Sequence, residues 1–268
     1  MYQVKTLNKI SPVGLAHLTE SYILTDKTED ADAILVRSQD MHEMVFSDKL
    51  KAIARAGAGV NNIPLDRCAK AGIVVFNTPG ANANAVKELV LCGMLLASRN
   101  VPAALTWAKG LTEDVSKTVE KGKSQFAGHE ILGKTLGIVG LGAIGRKVAE
   151  AAKALGMNIV GYDPYYVSGG EGLTVYPDLA EMLPLCDIVT LHLPANDATR
   201  GMVNKEFLAS MKDGAILLNF SRDKLVNDVD LLVALESGKL TQYVTDFPND
   251  NLIGREHITL LPHLGAST

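Results

Sequence analysis

The sequence predicts an α/β fold made of two parallel-sheet domains, and three observations predict it. Short apolar runs alternate with amphipathic stretches from end to end, the rhythm of strands linked by crossover helices. Runs such as AILLNF (215–220) are apolar at successive positions, which suits strands buried on both faces better than strands facing water. A glycine-rich turn at 140–145 lies between a strand pattern and a helix pattern, the context in which such a turn meets a phosphate. Together they predict a flavodoxin-like unit over residues 1–79 and a Rossmann-like, dinucleotide-binding unit over 80–268, with a cleft between them. A chain of 268 residues has room for two such domains.

Taken in order, AILV (33–36), AIARA (52–56) and IVVF (73–76) read as strands, each separated from the next by a segment long enough for a helix. A helix is predicted over 84–99. The stretch 100–130 is the least regular; it carries the only tryptophan, Trp107, and a run of charges, and is expected to form a partly helical arm or a subunit contact. After residue 130 the strand pattern returns in TLGIVG, MNIVGYD, DIVTLHLP, GAILLNF, YVTDF and ITLLPH.

Hydrophobic residues make up 47% and charged residues 21% of the chain, an ordinary globular composition. A net charge of -4 gives no reason to expect a nucleic acid or an anionic membrane as partner. No apolar run approaches the roughly 20 residues of a bilayer span, and MYQVKTLNKI lacks the basic start and apolar block of a secretory signal. Cys68, Cys92 and Cys186 form no CxxC pair, so neither a metal site nor a disulfide framework is predicted, and a cytoplasmic setting is expected.

The segment KTLGIVGLGAIGRKVAEAAKALGMNIVGYD (134–163) carries the cofactor argument. A strand, Thr135–Val139, runs into Gly140, Leu141, Gly142, Ala143, Ile144 and Gly145. Gly140 permits the tight turn, Gly142 lets backbone approach a pyrophosphate, and Gly145 lets helix and strand pack closely. The helix that follows offers its first N–H groups and positive dipole end to the phosphates. A second strand, Asn158–Tyr162, ends at Asp163, where a carboxylate can accept both ribose hydroxyls and would repel a 2′-phosphate. No lysine or arginine follows in PYYVSGG, so NAD is favoured over NADP.

Hydride transfer at the carbon of a 2-hydroxy acid needs a base for the hydroxyl proton and a cation for the carboxylate and the C2 oxygen. Both belong at the carboxyl ends of strands. Arg222, after GAILLNF, and His263, after ITLL, stand at such positions, although either taken alone is as readily a surface charge or a loop histidine.

The segments ILVRS (34–38), RAGAGVNN (55–62), VFNTPGANANAVKELV (75–90), GKTLGIVGLGAIG (133–145), VTLHLP (189–194), MVNKEFLASMKDGAILLNFSR (202–222), VTDF (244–247) and LPHLGAST (261–268) together resemble the D-isomer-specific 2-hydroxyacid dehydrogenase family, in its phosphoglycerate-oxidising branch. The resemblance implies that Arg222 binds the substrate carboxylate and polarises the C2 oxygen. It implies that His263 is the general acid/base and that Asp246 seats the nicotinamide carboxamide. In the family an acid a few positions past that aspartate pairs with the histidine; its usual glutamate is missing, and Asp250 stands as the candidate, with a turn residue in Asn249–Asn251 as the alternative. Asp223 also departs from the family, which has glycine after the arginine.

By the same resemblance Arg37 and Arg55 hold a substrate phosphate, a task suited to a planar guanidinium. The resemblance also implies that the Ala56–Gly59 backbone, Ala56 and Gly57 first, lies near the substrate carboxylate, with Asn62 bracing that loop. Solvated strand-end arginines are the plainer alternative. Lys87 is expected to be a solvated helix position, with an active-site contact as the alternative, His192 to be structural or to line the adenine side, and His129 and His257 to be loop residues. The implied partner is a small phosphorylated 2-hydroxy acid, D-3-phosphoglycerate, and the implied assembly a homodimer or larger homo-oligomer. A glyoxylate or hydroxypyruvate reductase and an NAD(H)-sensing corepressor are the alternatives. The chain stops directly after the histidine motif, where family members continue into a helix that completes the first unit, so an exposed apolar face is expected there.

Overall fold

The computed structural model describes residues 1–166, 172–265 and 267. Residues 167–170 of the segment that follows Asp163, and Ala266 and Thr268 of the terminal motif, lie outside the described residues. Contacts divide the chain into two compact units, Met1–Asn82 and Ala83–Thr268, a few residues beyond the boundary expected from sequence.

The first unit contains β1 (Tyr2–Leu7), α1 (Pro12–Leu15), β2 (Tyr22–Thr25), β3 (Ala33–Val36), β4 (Ala52–Arg55), α2 (Leu65–Lys70) and β5 (Val74–Phe76). Its sheet runs β2-β1-β3-β4-β5 with every pair parallel. This is the flavodoxin-like order, which reverses between β1 and β3. Ile34, Val36 and Ile53 form the core with Met41, Ile63 and Cys68. Two strands escaped the sequence. In β1 only Val4 is buried, so YQVKTL shows no continuous apolar run, and β2 is a four-residue edge strand with no buried position. The helix expected between β3 and β4 is absent among the described residues. Residues 37–51 form a loop instead, held inward by buried Met41, whose amide donates to Asn62 O at 2.9 Å.

The second unit contains α3 (Ala83–Ser98), α4 (Val101–Lys109), α5 (Val115–Gly122), β6 (Thr135–Val139), α6 (Ala143–Ala154), β7 (Asn158–Tyr162), β8 (Leu173–Val175), α7 (Leu179–Met182), β9 (Ile188–Leu191), α8 (Lys205–Ser210), β10 (Ala215–Asn219), α9 (Asp228–Glu236), β11 (Leu240–Thr245) and β12 (Ile258–Leu260). Seven parallel strands run β12-β11-β10-β9-β6-β7-β8, the dinucleotide-binding order with its reversal between β6 and β9. Alternate side chains of each strand feed opposite faces. Leu136, Ile138, Leu218 and Val244 pack with α3 and α6, while Val189, Leu191, Leu217 and Tyr243 join the core that includes Met182, Phe207 and Leu231. Asparagines start two of the covering helices: Asn204 Oδ1 accepts from Phe207 N, and Asn227 Oδ1 from Val229 N and Asp230 N. In the 100–130 arm, Trp107 lies 5.2 Å from Phe126, ring centre to ring centre. No single helix among the described residues is long and apolar enough to cross a membrane.

Candidate active site

The glycine turn lies at the carboxyl end of β6, beside the point where the strand order reverses. Gly140 has φ +102°, and a β-carbon there would stand 2.6 Å from His192 O, so only glycine fits. A β-carbon on Gly145 would meet Gly140 O at 2.0 Å, because α6 lies that close to β6. Gly142 is different: nothing lies within 4 Å of the corresponding position. Its glycine is not demanded by the protein's own packing, which leaves room for a group outside it. No side chain caps α6 at Gly142, so the first-turn N–H groups of Ala143, Ile144 and Gly145 remain as donors. This open approach and uncapped helix start fit a dinucleotide pyrophosphate.

Asp163 does more than end β7. Its Oδ2 accepts from Leu141 N at 2.8 Å and its Oδ1 from Tyr165 N at 2.9 Å. The carboxylate thus fixes the glycine turn, and each oxygen keeps acceptor capacity for a ribose hydroxyl. His192 flanks the turn with its ring Nε2 3.1 Å from Thr190 Oγ1. Burial pushes its pKa down to about 3, so the ring is neutral at physiological pH.

Three expected residues come together at the carboxyl ends of β10, β11 and β12. Arg222 follows β10 on a turn built by Asn219, which is fully buried. Asn219 Oδ1 accepts from Ser221 N and Arg222 N, and its Nδ2 donates to Arg222 O. The Arg222 guanidinium donates to Ser221 O at 2.6 Å. Asp246 directly follows β11 and is only 2% exposed. Its Oδ2 stands 3.7 Å from His263 Nδ1, while its Oδ1 is buried without a hydrogen-bond partner. Burial raises the Asp246 pKa, and the nearby positive charges of His263 and Arg222 oppose that shift. His263 presents an imidazole that is 60% exposed, with its ring edge-on to Phe247. The exposure leaves it reachable by a small molecule.

Asp250 is not brought to His263; the acid at the histidine is Asp246. Asn249 Oδ1 accepts from Asn251 N and Leu252 N, and both Asn249 and Asn251 donate to Asp228 Oδ2 on the first turn of α9. This anchored turn leaves Asp250 at its exposed position. Asp223 is also exposed and opens a short 3-10 turn, Asp223–Leu225. Lys87, expected to be solvated, has a side chain only 19% exposed and lies 3.7 Å from Glu88.

In the first unit, Arg37 follows β3 and Arg55 ends β4. Arg55 Nε donates to Arg37 O at 3.0 Å, which brings the two residues together at one end of the sheet. Asn62 Nδ2 donates to Gln39 O at 2.8 Å, so it ties down the segment after β3. The amides of Ala56 and Gly57 are committed internally, to Val36 O and to Thr78 Oγ1. Both amides thus have acceptors within the protein. Asn8 was missed altogether. Its Oδ1 accepts from the amides of Arg37, Ser38 and Gln39. A single asparagine ahead of a lysine carries no sequence signal of its own, and its φ of +67° is visible only in the structure.

A cavity of about 610 Å³ in the second unit lies at the amino ends of the strands, lined by Ser98, Lys134, Asp187, Lys212 and His257 among others. It is at the wrong end of the sheet for the dinucleotide chemistry. Among the described residues no cluster of three His, Cys, Asp or Glu could hold a metal ion.

The family model described as D-isomer specific 2-hydroxyacid dehydrogenase, NAD binding domain, matches residues 91–265. A D-3-phosphoglycerate dehydrogenase of Methanocaldococcus jannaschii is 38% identical over 279 residues, covering 99% of this chain and 51% of that protein. The protein of the same name from Rattus norvegicus is 37% identical over 258 residues, covering 91% of this chain and 46% of its own length. The chain thus spans about half the length of the curated relatives it matches. Among solved structures, an NADPH-dependent glyoxylate/hydroxypyruvate reductase from Sinorhizobium meliloti aligns with TM-score 0.85 at 25% identity, covering 100% of this chain and 89% of that one. The apo D-mandelate dehydrogenase of Rhodotorula graminis aligns with TM-score 0.80 at 25% identity and the same coverage. The chain belongs to the D-isomer specific 2-hydroxyacid dehydrogenases, and its second unit is that family's NAD binding domain.

Proposed function

We propose that the chain carries the catalytic machinery for NAD-dependent oxidation of D-3-phosphoglycerate to 3-phosphooxypyruvate, the first step of L-serine synthesis. The observation that carries the dehydrogenase reading is the convergence of a guanidinium, a buried carboxylate and an accessible imidazole at adjacent strand ends of the sheet that holds the glycine turn. Arg222 binds the substrate carboxylate and draws electron density from the C2 oxygen. His263 takes the hydroxyl proton as C2 is oxidised and returns it in the reverse reaction. Asp246 would offer its Oδ1 to the nicotinamide carboxamide. Asp163 would accept the ribose hydroxyls, and the amides at the start of α6 would hold the pyrophosphate. NAD, when bound, accepts the hydride that leaves C2.

The first unit is assigned substrate binding, with Arg37 and Arg55 holding the phosphate. Support comes from their association through Arg55 Nε and Arg37 O and from relatives named for that substrate. Steady-state kinetics of Arg37→Ala and Arg55→Ala test it. We expect KM for D-3-phosphoglycerate to rise by roughly 10-fold or more, the loss of a charge-assisted pair, with a much smaller change for an unphosphorylated 2-hydroxy acid. Equal changes for both would move the assignment to a reductase of glyoxylate, hydroxypyruvate or a similar 2-oxo acid, the activity named for a structural neighbour.

A further inference from the structure

We propose that Asp246 is the residue that positions His263, so that a single carboxylate serves both the imidazole and the cofactor. This rests on the dehydrogenase reading for its consequence but on geometry for its substance. The resemblance made Asp250 the candidate acid for the histidine. The structure leaves Asp250 on a turn pinned by Asn249, Asn251 and Asp228. Asp246 instead stands with Oδ2 at 3.7 Å from His263 Nδ1. That separation is an ion-pair distance, longer than a hydrogen bond, and catalytic contacts are commonly long before substrate binds.

The surroundings leave Asp246 little alternative. The side chain is almost fully enclosed, so it cannot turn to water. Thr245 Oγ1 accepts from Phe247 N, which fixes the backbone on either side of it. Arg222 is the other charge acting on it, but its guanidinium is engaged with Ser221 O. From α3, Val86 packs near Gly265, and a β-carbon placed on Gly265 would lie 3.7 Å from Asp246 Oδ2. The charged residues next along that helix, Lys87 and Glu88, face each other. The two oxygens are therefore divided: Oδ2 looks to the imidazole and Oδ1 has no protein donor.

An acceptor at Nδ1 selects the tautomer with hydrogen on Nδ1. The lone pair is then on Nε2, free to take a proton from a substrate hydroxyl. Asp246 does not itself touch the reacting atoms through this contact; it acts by setting which ring nitrogen is the base.

The test is the tautomer of His263, read from its ring nitrogen chemical shifts in cofactor-free protein labelled with ¹⁵N-histidine at alkaline pH. His263→Gln identifies its signals among those of the six histidines. The unmodified protein and Asp250→Asn should both show Nδ1–H. Asp246→Asn should lose that preference, and Asp246→Glu should restore part of it. Turnover should fall at least about 100-fold in Asp246→Asn, as when a histidine loses its orienting carboxylate, and change less than about twofold in Asp250→Asn. An Nε2–H tautomer in the unmodified protein overturns the proposal even where Asp246→Asn fails to fold. So does loss of Nδ1–H in Asp250→Asn. If instead no 2-hydroxy acid is oxidised by the unmodified protein while His263 still holds Nδ1–H beside Asp246, the assigned reaction fails and the pairing stands.

Discussion

A glycine can be required by the fold or by what binds to it, and the turn after β6 contains both kinds. Gly145 is held by its own neighbours, since a methyl group there would press on Gly140 O at 2.0 Å. Gly142 faces open space. Gly145→Ala is therefore expected to lower unfolding free energy by about 3 kcal/mol, the upper end of overpacking costs. Gly142→Ala should cost no more than about 1 kcal/mol, the loss of a glycine at a helix start, yet weaken NADH binding at least tenfold by blocking close approach. Thermal unfolding and fluorescence titration of NADH, run on both variants, separate the two. A Gly142→Ala protein that binds NADH normally would remove the pyrophosphate from this turn.

Elements are tied together by single polar side chains acting far along the chain. Asp187, at the start of β9, receives Thr135 N of β6 on Oδ2 and Lys212 Nζ, just ahead of β10, on Oδ1. Partial burial raises its pKa, but these bonds outweigh burial and the net shift is downward. A carboxylate whose pKa is lower folded than unfolded adds stability above the unfolded value and loses it as pH falls through the folded one. Asp187→Ala should therefore be less stable than the unmodified chain near neutral pH by about 2 kcal/mol. The gap should narrow once pH drops below the ordinary carboxylate range. A gap that stays constant in acid-range denaturant melts would mean that the charge contributes nothing.

This is also the scale at which the sequence stops being legible. Strands β6 and β7 matched their expected limits because glycine and aspartate punctuate them, and the continuous apolar runs identified β9 and β10. β8, three residues long, and β1, with polar residues at alternate positions, carry too little pattern. Arg222, His263 and the glycine turn were found because strand ends and motifs mark them. Asn8 and Asn219 were not, because their work is done on backbone groups brought near only by the folded chain. Asp250 was named from the resemblance, with a turn residue as the alternative, and only the folded chain shows the turn that Asn249 and Asn251 build around it.

At the scale of the molecule the two units differ in how much holds them. The first has one small apolar cluster under a five-stranded sheet, whereas the second has clusters on both faces of seven strands. Local stability follows buried apolar contact, so the first unit should open at lower denaturant. Limited proteolysis at rising urea, read by mass spectrometry, should release fragments of residues 1–82 while a product beginning near Ala83 persists. Simultaneous loss of both would show that they unfold as one.

The margins of the first sheet are strands β2 and β5, and both turn apolar side chains outward: Ile23 is 42% and Leu24 55% exposed, with Val74 and Phe76 similarly uncovered. An edge strand also offers a row of unsatisfied amide and carbonyl groups. Tyr22–Thr25 therefore combines stickiness with a hydrogen-bonding template and has no charged side chain of its own to repel a visitor. Left bare, such a margin has the backbone groups to seat another extended segment alongside as a sixth strand.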